Sequence, residues 1–261
     1  MYILKLLSTS IKSNLQHDLA YRADLIVNLV LSLIGLGSDL FGLSIIYANT
    51  NDIGGWGPSE LIILLGVWRL VNVLMNMIIW PNTFNFNMSV HDGSLDYTLL
   101  LPVNSQLLIS TKRIVIWHLF DFVIAIGLII IGLAHNTGIT SPLQIVAFLG
   151  LTLSGTTIIY SLWITLISLT FWFTKFGNSI VIMSAVLDAG RYPAHVYPFW
   201  LRALMTFVVP VAVATTVPLQ ALRGELQWWQ AIGFLGIGLI AVWLSSRAWI
   251  AGLRRYSGAS S

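Results

Sequence analysis

The sequence contains no cysteine. That excludes disulfides, thiol nucleophiles and cysteine-based metal sites. Charge is nearly as scarce, at 9% of residues, where soluble domains carry about a quarter. A water-soluble fold is therefore excluded. No Gly-x-x-x-x-Gly-Lys-Ser/Thr string occurs, and Lys112 and Lys175 lack the preceding glycines. The chain has no phosphate-cradling loop of its own, so any energy from ATP must enter on another polypeptide. There is no His-x-x-x-His, Glu-x-x-His or Gly-x-Ser-x-Gly string, and His135 and His195 stand isolated. A membrane-embedded enzyme would need such clustered groups, and no metal site is expected. The net charge of +3 is too small to suggest nucleic acid as a partner.

What the chain has in abundance is long apolar runs, with 57% hydrophobic residues. Residues 25–48, 61–80, 114–134, 143–173 and 229–250 are each long and apolar enough to span a bilayer, which takes about 20 residues. A shorter sixth run, 176–192, breaks at Tyr192-Pro193. The pattern predicts an all-α integral membrane protein with six transmembrane helices in one domain. Residues 1–20 read as an amphipathic helix, with Leu4, Leu7, Ile11, Leu15 and Leu19 on one face. Such a helix lies in the membrane interface or packs on a neighbouring subunit. Lys5 and Lys12 interrupt the run and argue against a cleavable signal peptide. With the N-terminus inside, nine Lys and Arg fall on the cytoplasmic side, and only Arg191, Arg202 and Arg223 fall outside. The positive-inside rule selects that orientation, with both termini cytoplasmic. Trp56, Trp80, Trp228, Trp229 and Trp249 fall near the span ends, as interface anchors do.

Two segments break the pattern. Residues 193–222 hold Pro193, Pro198, Pro210 and Pro218. This suits two short helices that dip into the outer leaflet and return. The alternative is one kinked span, which would put Arg254 and Arg255 on the wrong side. The second segment, 81–113, reads as a long cytoplasmic loop. Asn82, Asn85 and Asn87 alternate with Phe84, Phe86 and Met88, and Asp92-Gly93 marks a turn. Ser94 caps a short helix, which Pro102 ends. Leu95, Leu99 and Leu100 on that helix are expected to be exposed, awaiting either a protein partner or lipid head groups.

Four charges fall within the runs: Asp39, Arg69, Asp121 and Asp188. Each costs about 2.5–3.5 kcal/mol at mid-bilayer unless paired or wetted. At about 1.5 Å per residue, Asp39 lies about 21 Å above the inner end of its span, and Asp188 about 18 Å up its own. Arg69 also lies about 18 Å up. Asp39 is the matched partner for Arg69, and Asp188 is the rival. Arg69, Asn72 and Asn76 share a face. They either line a path for a polar or anionic substrate or carry a structural ion pair. His118 and Asp121 also share a face, as a proton relay or a hydrogen-bonded pair.

The order of elements resembles the type-2 membrane subunits of ATP-binding cassette (ABC) exporters, in particular a bacterial branch of stand-alone permeases. Two local stretches carry the resemblance. One is Gly93-Ser94-Leu95-Asp96-Tyr97 with Leu99-Leu100-Leu101-Pro102-Val103-Asn104. The other is Arg191-Tyr192-Pro193 and Tyr197-Pro198, followed by Val209-Pro210-Val211-Ala212 and Val217-Pro218. Ser105 stands where relatives often carry a second proline. The resemblance implies a coupling helix within residues 88–103 that docks into an ABC ATPase. Gly93, Ser94, Leu95, Asp96, Leu99, Leu100 and Pro102 would make the docking surface. It implies a second permease as partner, a location in the bacterial inner membrane, and ATP and magnesium bound by the ATPase rather than by this chain. An ion-coupled secondary transporter is the alternative, but no internal repeat is visible.

Overall fold

The structure, a computed structural model, describes residues 12–16, 18, 22–50, 52–135, 141–173 and 179–256. The regular elements among these residues are all helices, and the only bridge among them joins Ile53 and Trp56. Helix α1 covers Arg22–Asn49 and α2 runs through Pro58–His91. Two short helices follow, α3 (Leu95–Leu99) and α4 (Ser105–Thr111). Helix α5 is Leu119–His135, with a 3-10 lead-in at Ile116–His118, and α6 is Pro142–Leu169. Then come α7 (Ser179–Asp188), α8 (Phe199–Val208), α9 (Val211–Leu222) and α10 (Trp228–Leu253). Five helices are long and apolar enough to cross a membrane, and the bent pair α8–α9 is a sixth candidate. The chain is an all-α integral membrane protein.

Three sequence expectations need correction. The second span does not end at Trp80. Pro81 has no N–H and frees the Met77 carbonyl, and the helix absorbs this with a π turn at Met75–Ile79. The N–H of Val115 donates to the Met77 carbonyl at 3.0 Å. The helix therefore continues to His91, and 34 residues reach about 50 Å. That exceeds the roughly 30 Å of hydrocarbon, so an untilted helix of this length must extend beyond it.

The fifth span is also not one helix. Its first residues lie outside the described set, and α7 has only 10 residues, about 15 Å of rise. Two 3-10 turns, Ala189–Arg191 and Ala194–Val196, continue the climb. Irregular backbone at membrane depth needs internal partners. Trp68 Nε1 donates to the Leu187 carbonyl at 2.7 Å, the Tyr197 hydroxyl to Ala189 O at 2.9 Å, and Ala194 N–H to Thr216 Oγ1 at 3.2 Å.

The third correction concerns the tryptophans. Trp56 and Trp249, expected as interface anchors, are each only 2% exposed and belong to the core. Trp228 and Trp229 are exposed.

The α8–α9 pair turns through 97° at Val209–Pro210. The segment before it brings the His195 ring within 5.6 Å of Trp56, and the residue after it places the Arg223 guanidinium 5.4 Å from the same indole. Both ends of the hairpin thus meet one tryptophan. Its first arm exposes Phe199 and Phe207, while α9 is buried along nearly its whole length.

The opposite end of the bundle gathers the chain's extremities. Asn14 and Asp18 are buried against Lys112, Arg113 and Ile116. Tyr256 packs on Phe171 at 5.8 Å. The rest of the expected 1–20 interfacial helix lies outside the described residues. What holds the visible part is polar: Arg113 donates to Asp18 at 2.7 Å.

Lipid gives helices no hydrophobic reason to associate, so small residues set the closest approaches. On α2 and α5, a Cβ on Gly66 would stand 2.9 Å from Ala125 O, and one on Gly132 would stand 2.8 Å from Ser59 O. Gly155 of α6 likewise faces the α9 backbone at Ala214. Gly66→Ala and Gly132→Ala are expected to destabilise the purified protein by about 1–3 kcal/mol each through overpacking. Gly127→Ala, with open space around its Cβ, should be neutral or mildly stabilising. Thermal unfolding in detergent measures all three, and equal effects would contradict this packing.

Candidate functional site

Two places concentrate chemistry. The first is a chain of charges at mid-depth, where α1, α2, α5 and the turn after α7 converge. Arg69 donates to Asp39 Oδ2 at 2.8 Å, and Arg191 donates to Asp39 Oδ1 at 3.1 Å. One carboxylate of α1 thus serves two guanidiniums. Arg69 also lies 3.8 Å from Asp121 Oδ1. The Ser32 hydroxyl donates to that same oxygen, and His118 Nδ1 sits 2.9 Å from Asp121 Oδ2. Arg191 stacks 4.3 Å from the centre of the Trp68 ring and lies 3.6 Å from Asp188.

The two candidate partners of Arg69 therefore separate. Asp39 meets it, whereas Asp188 faces Arg191 and is largely exposed. Arg191, one of the three arginines assigned outside and the first residue of the Arg191-Tyr192-Pro193 stretch, closes the cluster. The signal was present as Asp188 and Arg191 at i, i+3. Arg223, another of those three, pairs with Glu60 and Glu225. Arg202 donates to the carbonyls of His195 and Tyr197.

The cluster borders a cavity of about 250 Å³ that Asn72, Asn76 and Trp68 also line. The amides of Asn72 and Asn76 each donate to the carbonyl four residues earlier, at 3.1 and 3.0 Å. Every carboxylate oxygen of Asp39 and Asp121 has a donor or an imidazole nitrogen against it. The Nε groups of Arg69 and Arg191 are buried and make no hydrogen bond among the described residues.

The second place is the Leu95 end. Gly93 turns the chain with φ 75°, a value that suits glycine. Ser94 does not cap α3 as expected: its side chain makes no capping bond. Instead its N–H donates to Asp92 Oδ1 at 2.9 Å, and hydrogen bonds from Ser94 hold the Asp92 carboxyl below its ordinary range. Leu95, expected as an exposed contact, is fully buried and belongs to the main apolar core. Leu99 packs against the same core. A five-residue helix cannot hold itself, and Leu95 is its anchor. The exposed apolar residues are Tyr97, at 77%, and Leu100, at 80%. Pro102 lies exposed in the following turn.

Beneath α3 is an aromatic knot. Phe86 and Phe171 lie 5.5 Å apart, and Trp249 lies 5.7 and 5.5 Å from them. Trp249 Nε1 donates to Ser105 Oγ at 3.1 Å. Burial, with the Asp96 carboxylate nearby, pushes the Tyr256 hydroxyl above its usual range. Asn82, read only as a loop residue, is buried and ties α2 to the following turn. It donates to the Ser110 and Arg113 carbonyls and accepts from Arg113 N–H at 2.8 Å. Of the four prolines, Pro193 and Pro198 flank the Ala194–Val196 turn, Pro210 marks the hairpin corner, and Pro218 sits buried within α9.

The shared carboxylate has a measurable consequence. Asp39→Ala leaves Arg69 with only the more distant Asp121 and Arg191 with only the exposed Asp188, and is expected to cost up to about 3–5 kcal/mol of stability, the range for breaking a buried pair. Arg191→Gln, at a side chain 41% exposed, should cost clearly less. Exchanging Asp39 and Arg69 should not restore stability, because an arginine at 39 would face Arg191. Unfolding temperatures in detergent check this order, and full rescue by the exchange would contradict it.

No curated protein and no solved structure matches the chain. The family described as ABC-2 family transporter protein matches residues 33–260, which includes five of the long helices in whole or in part, both short helices and the hairpin. With its bundle of membrane-length helices, the chain belongs to the ABC-2 family of transporters as a membrane permease, a family membership that implies ABC ATPase subunits as partners.

Proposed function

We propose that the chain is the permease subunit of an ABC exporter, one of two permeases that form a path across the bacterial plasma membrane. Separate ATPase subunits bind ATP and magnesium and dock at the Leu95 end. The observation that carries this reading is the construction of α3. Buried Leu95 pins a short helix to the end of a 34-residue helix. The helix turns Tyr97 and Leu100 outward, well beyond the hydrocarbon. An apolar surface with no membrane to cover it fits a groove on a partner.

The Leu95 end is the cytoplasmic one in this reading. Lys112, Arg113, Arg254 and Arg255 belong to it, in keeping with the positive-inside rule. Both ends of the described chain meet there, which requires an even number of crossings, and the hairpin at residues 193–222 dips into the outer leaflet without crossing. Force on α3 passes through Leu95 into the aromatic knot and so to α10, and along α2 to Arg69. Packed side chains with two arrangements are what such coupling needs.

The test is co-purification with an ATPase encoded beside the chain. Tyr97→Asp and Leu100→Asp should abolish or strongly reduce ATPase recovery while leaving the unfolding temperature unchanged, since both side chains are exposed. Leu95→Asp should instead lower the folded yield. Normal ATPase recovery and transport in the Tyr97→Asp/Leu100→Asp double variant would refute the docking assignment.

A further inference from the structure

The 3-10 turn after α7, Ala189–Arg191, takes its position from its neighbours. Its closing bond, from Tyr192 N–H to the Ala189 carbonyl, is 3.4 Å, long for a backbone bond. A short 3-10 turn closed so weakly does not hold itself.

Trp68 of α2 grips this turn at three points. Its indole Nε1 donates to the Leu187 carbonyl, just before the turn, at 2.7 Å. Its ring face carries the guanidinium of Arg191, the last residue of the turn, 4.3 Å from the ring centre. Its ring edge closes on Gly190 in the middle. A Cβ there would stand 3.2 Å from Trp68 Cδ1 and 2.7 Å from Val211 Cγ2 of α9. Glycine thus lets the turn lie between α2 and the second arm of the hairpin. Trp68 is buried, and a buried indole N–H finds an acceptor. Its ring also packs in a small apolar cluster with Leu65 and Leu128. The donor bond and the cation stack go instead to one short turn.

We propose that Trp68 is the positioning residue that ties the end of the bundle opposite Leu95 to α2. Displacement of α2 by a docked ATPase then moves the Ala189–Arg191 turn, and with it the hairpin entry at Ala194–Val196. This rests on the permease reading above and extends its line of force past Arg69. Helix α2 carries Phe86 in the aromatic knot and Trp68 against the turn. From the turn the path divides: Arg191 donates to Asp39 of α1, and Ala194 N–H donates to Thr216 of α9. Coupling between distant sites is carried by contiguous packed and hydrogen-bonded groups with two arrangements. A turn with one long internal bond is the element least tied to a single arrangement.

The test uses the complex of the full chain with its ATPase, in nanodiscs, with Val196→Cys as the sole cysteine of the chain. Maleimide labelling of that residue is timed with and without a non-hydrolysable ATP analogue. The parent is expected to change its labelling rate at least about fivefold, the low end of ordinary coupling between sites. Trp68→Phe keeps a ring and loses the donor, and should remove most of that response with ATPase recovery unchanged. Arg191→Gln removes the stack at a partly exposed side chain, and decides the matter where Trp68→Phe folds poorly. Leu128→Ala loosens the same apolar cluster without touching the turn. It should lower the unfolding temperature yet keep the response. A response preserved in the folded Trp68 or Arg191 variant, or lost equally in Leu128→Ala, would overturn the assignment and leave Trp68 a packing residue. A parent whose labelling ignores nucleotide would overturn it as well. Each preparation is isolated through its ATPase, so docking is read first. No ATPase recovery would refute the permease reading and this inference together, whereas an unchanged response refutes this inference alone.

Discussion

Hydrocarbon offers no hydrogen bonds, and the structure is organised by that constraint. Each backbone group freed by a proline or an irregular turn, and each charge at depth, must find its partner inside the protein. The carboxylate of Asp39 is the clearest case. Helix α1 is otherwise exposed along most of its length and touches its neighbours sparsely. Its attachment comes largely through polar groups: Asp39 to Arg69 and Arg191, Ser32 to Asp121, and Tyr47 to the Trp56 carbonyl. These contacts join α1 to α2, to α5 and to the turn after α7.

The same constraint explains the irregular elements. Pro81 does not end its helix, because a π turn and Val115 absorb the lost bond. The climb from α7 to His195 abandons the α-helix, and Trp68, Tyr197 and Thr216 supply the missing partners. The hairpin's second arm, α9, packs against α6, where Gly155 allows the approach at Ala214. At the Leu95 end water is available, and there the chain can hold a five-residue helix by one buried leucine and an Asp92–Ser94 turn.

Much of this was legible in the residues. Long apolar runs give the membrane helices directly, since span length is set by bilayer thickness. Rise per residue brought both Asp39 and Asp188 near the depth of Arg69, and the packing selects Asp39. Arg191 was not legible in this way, because it belongs to a turn whose path depends on how α7 ends. Leu95 was misread for a related reason. Periodicity over five residues cannot say which leucine turns inward, and the answer depends on Phe86 from α2, Trp249 from α10 and Phe171 from the turn after α6. Asn82 looked like loop chemistry, whereas its bonds go to residues 28 and 31 positions away. Trp56 and Trp249 show the same limit: position near a span end suggests an anchor, while packing made them core.

The central claim is topological. In the proposed arrangement the chain makes an even number of crossings, α3 faces the cytoplasm, and the proline hairpin enters and leaves at the opposite face. The absence of cysteine makes this directly measurable with single-cysteine variants and a membrane-impermeant maleimide on intact cells. Val196→Cys and Glu225→Cys, at the two ends of the hairpin, should both label from outside, and Leu100→Cys should label only after the membrane is opened. Labelling of Val196→Cys and Glu225→Cys from opposite sides, or of Leu100→Cys from outside, would contradict the account.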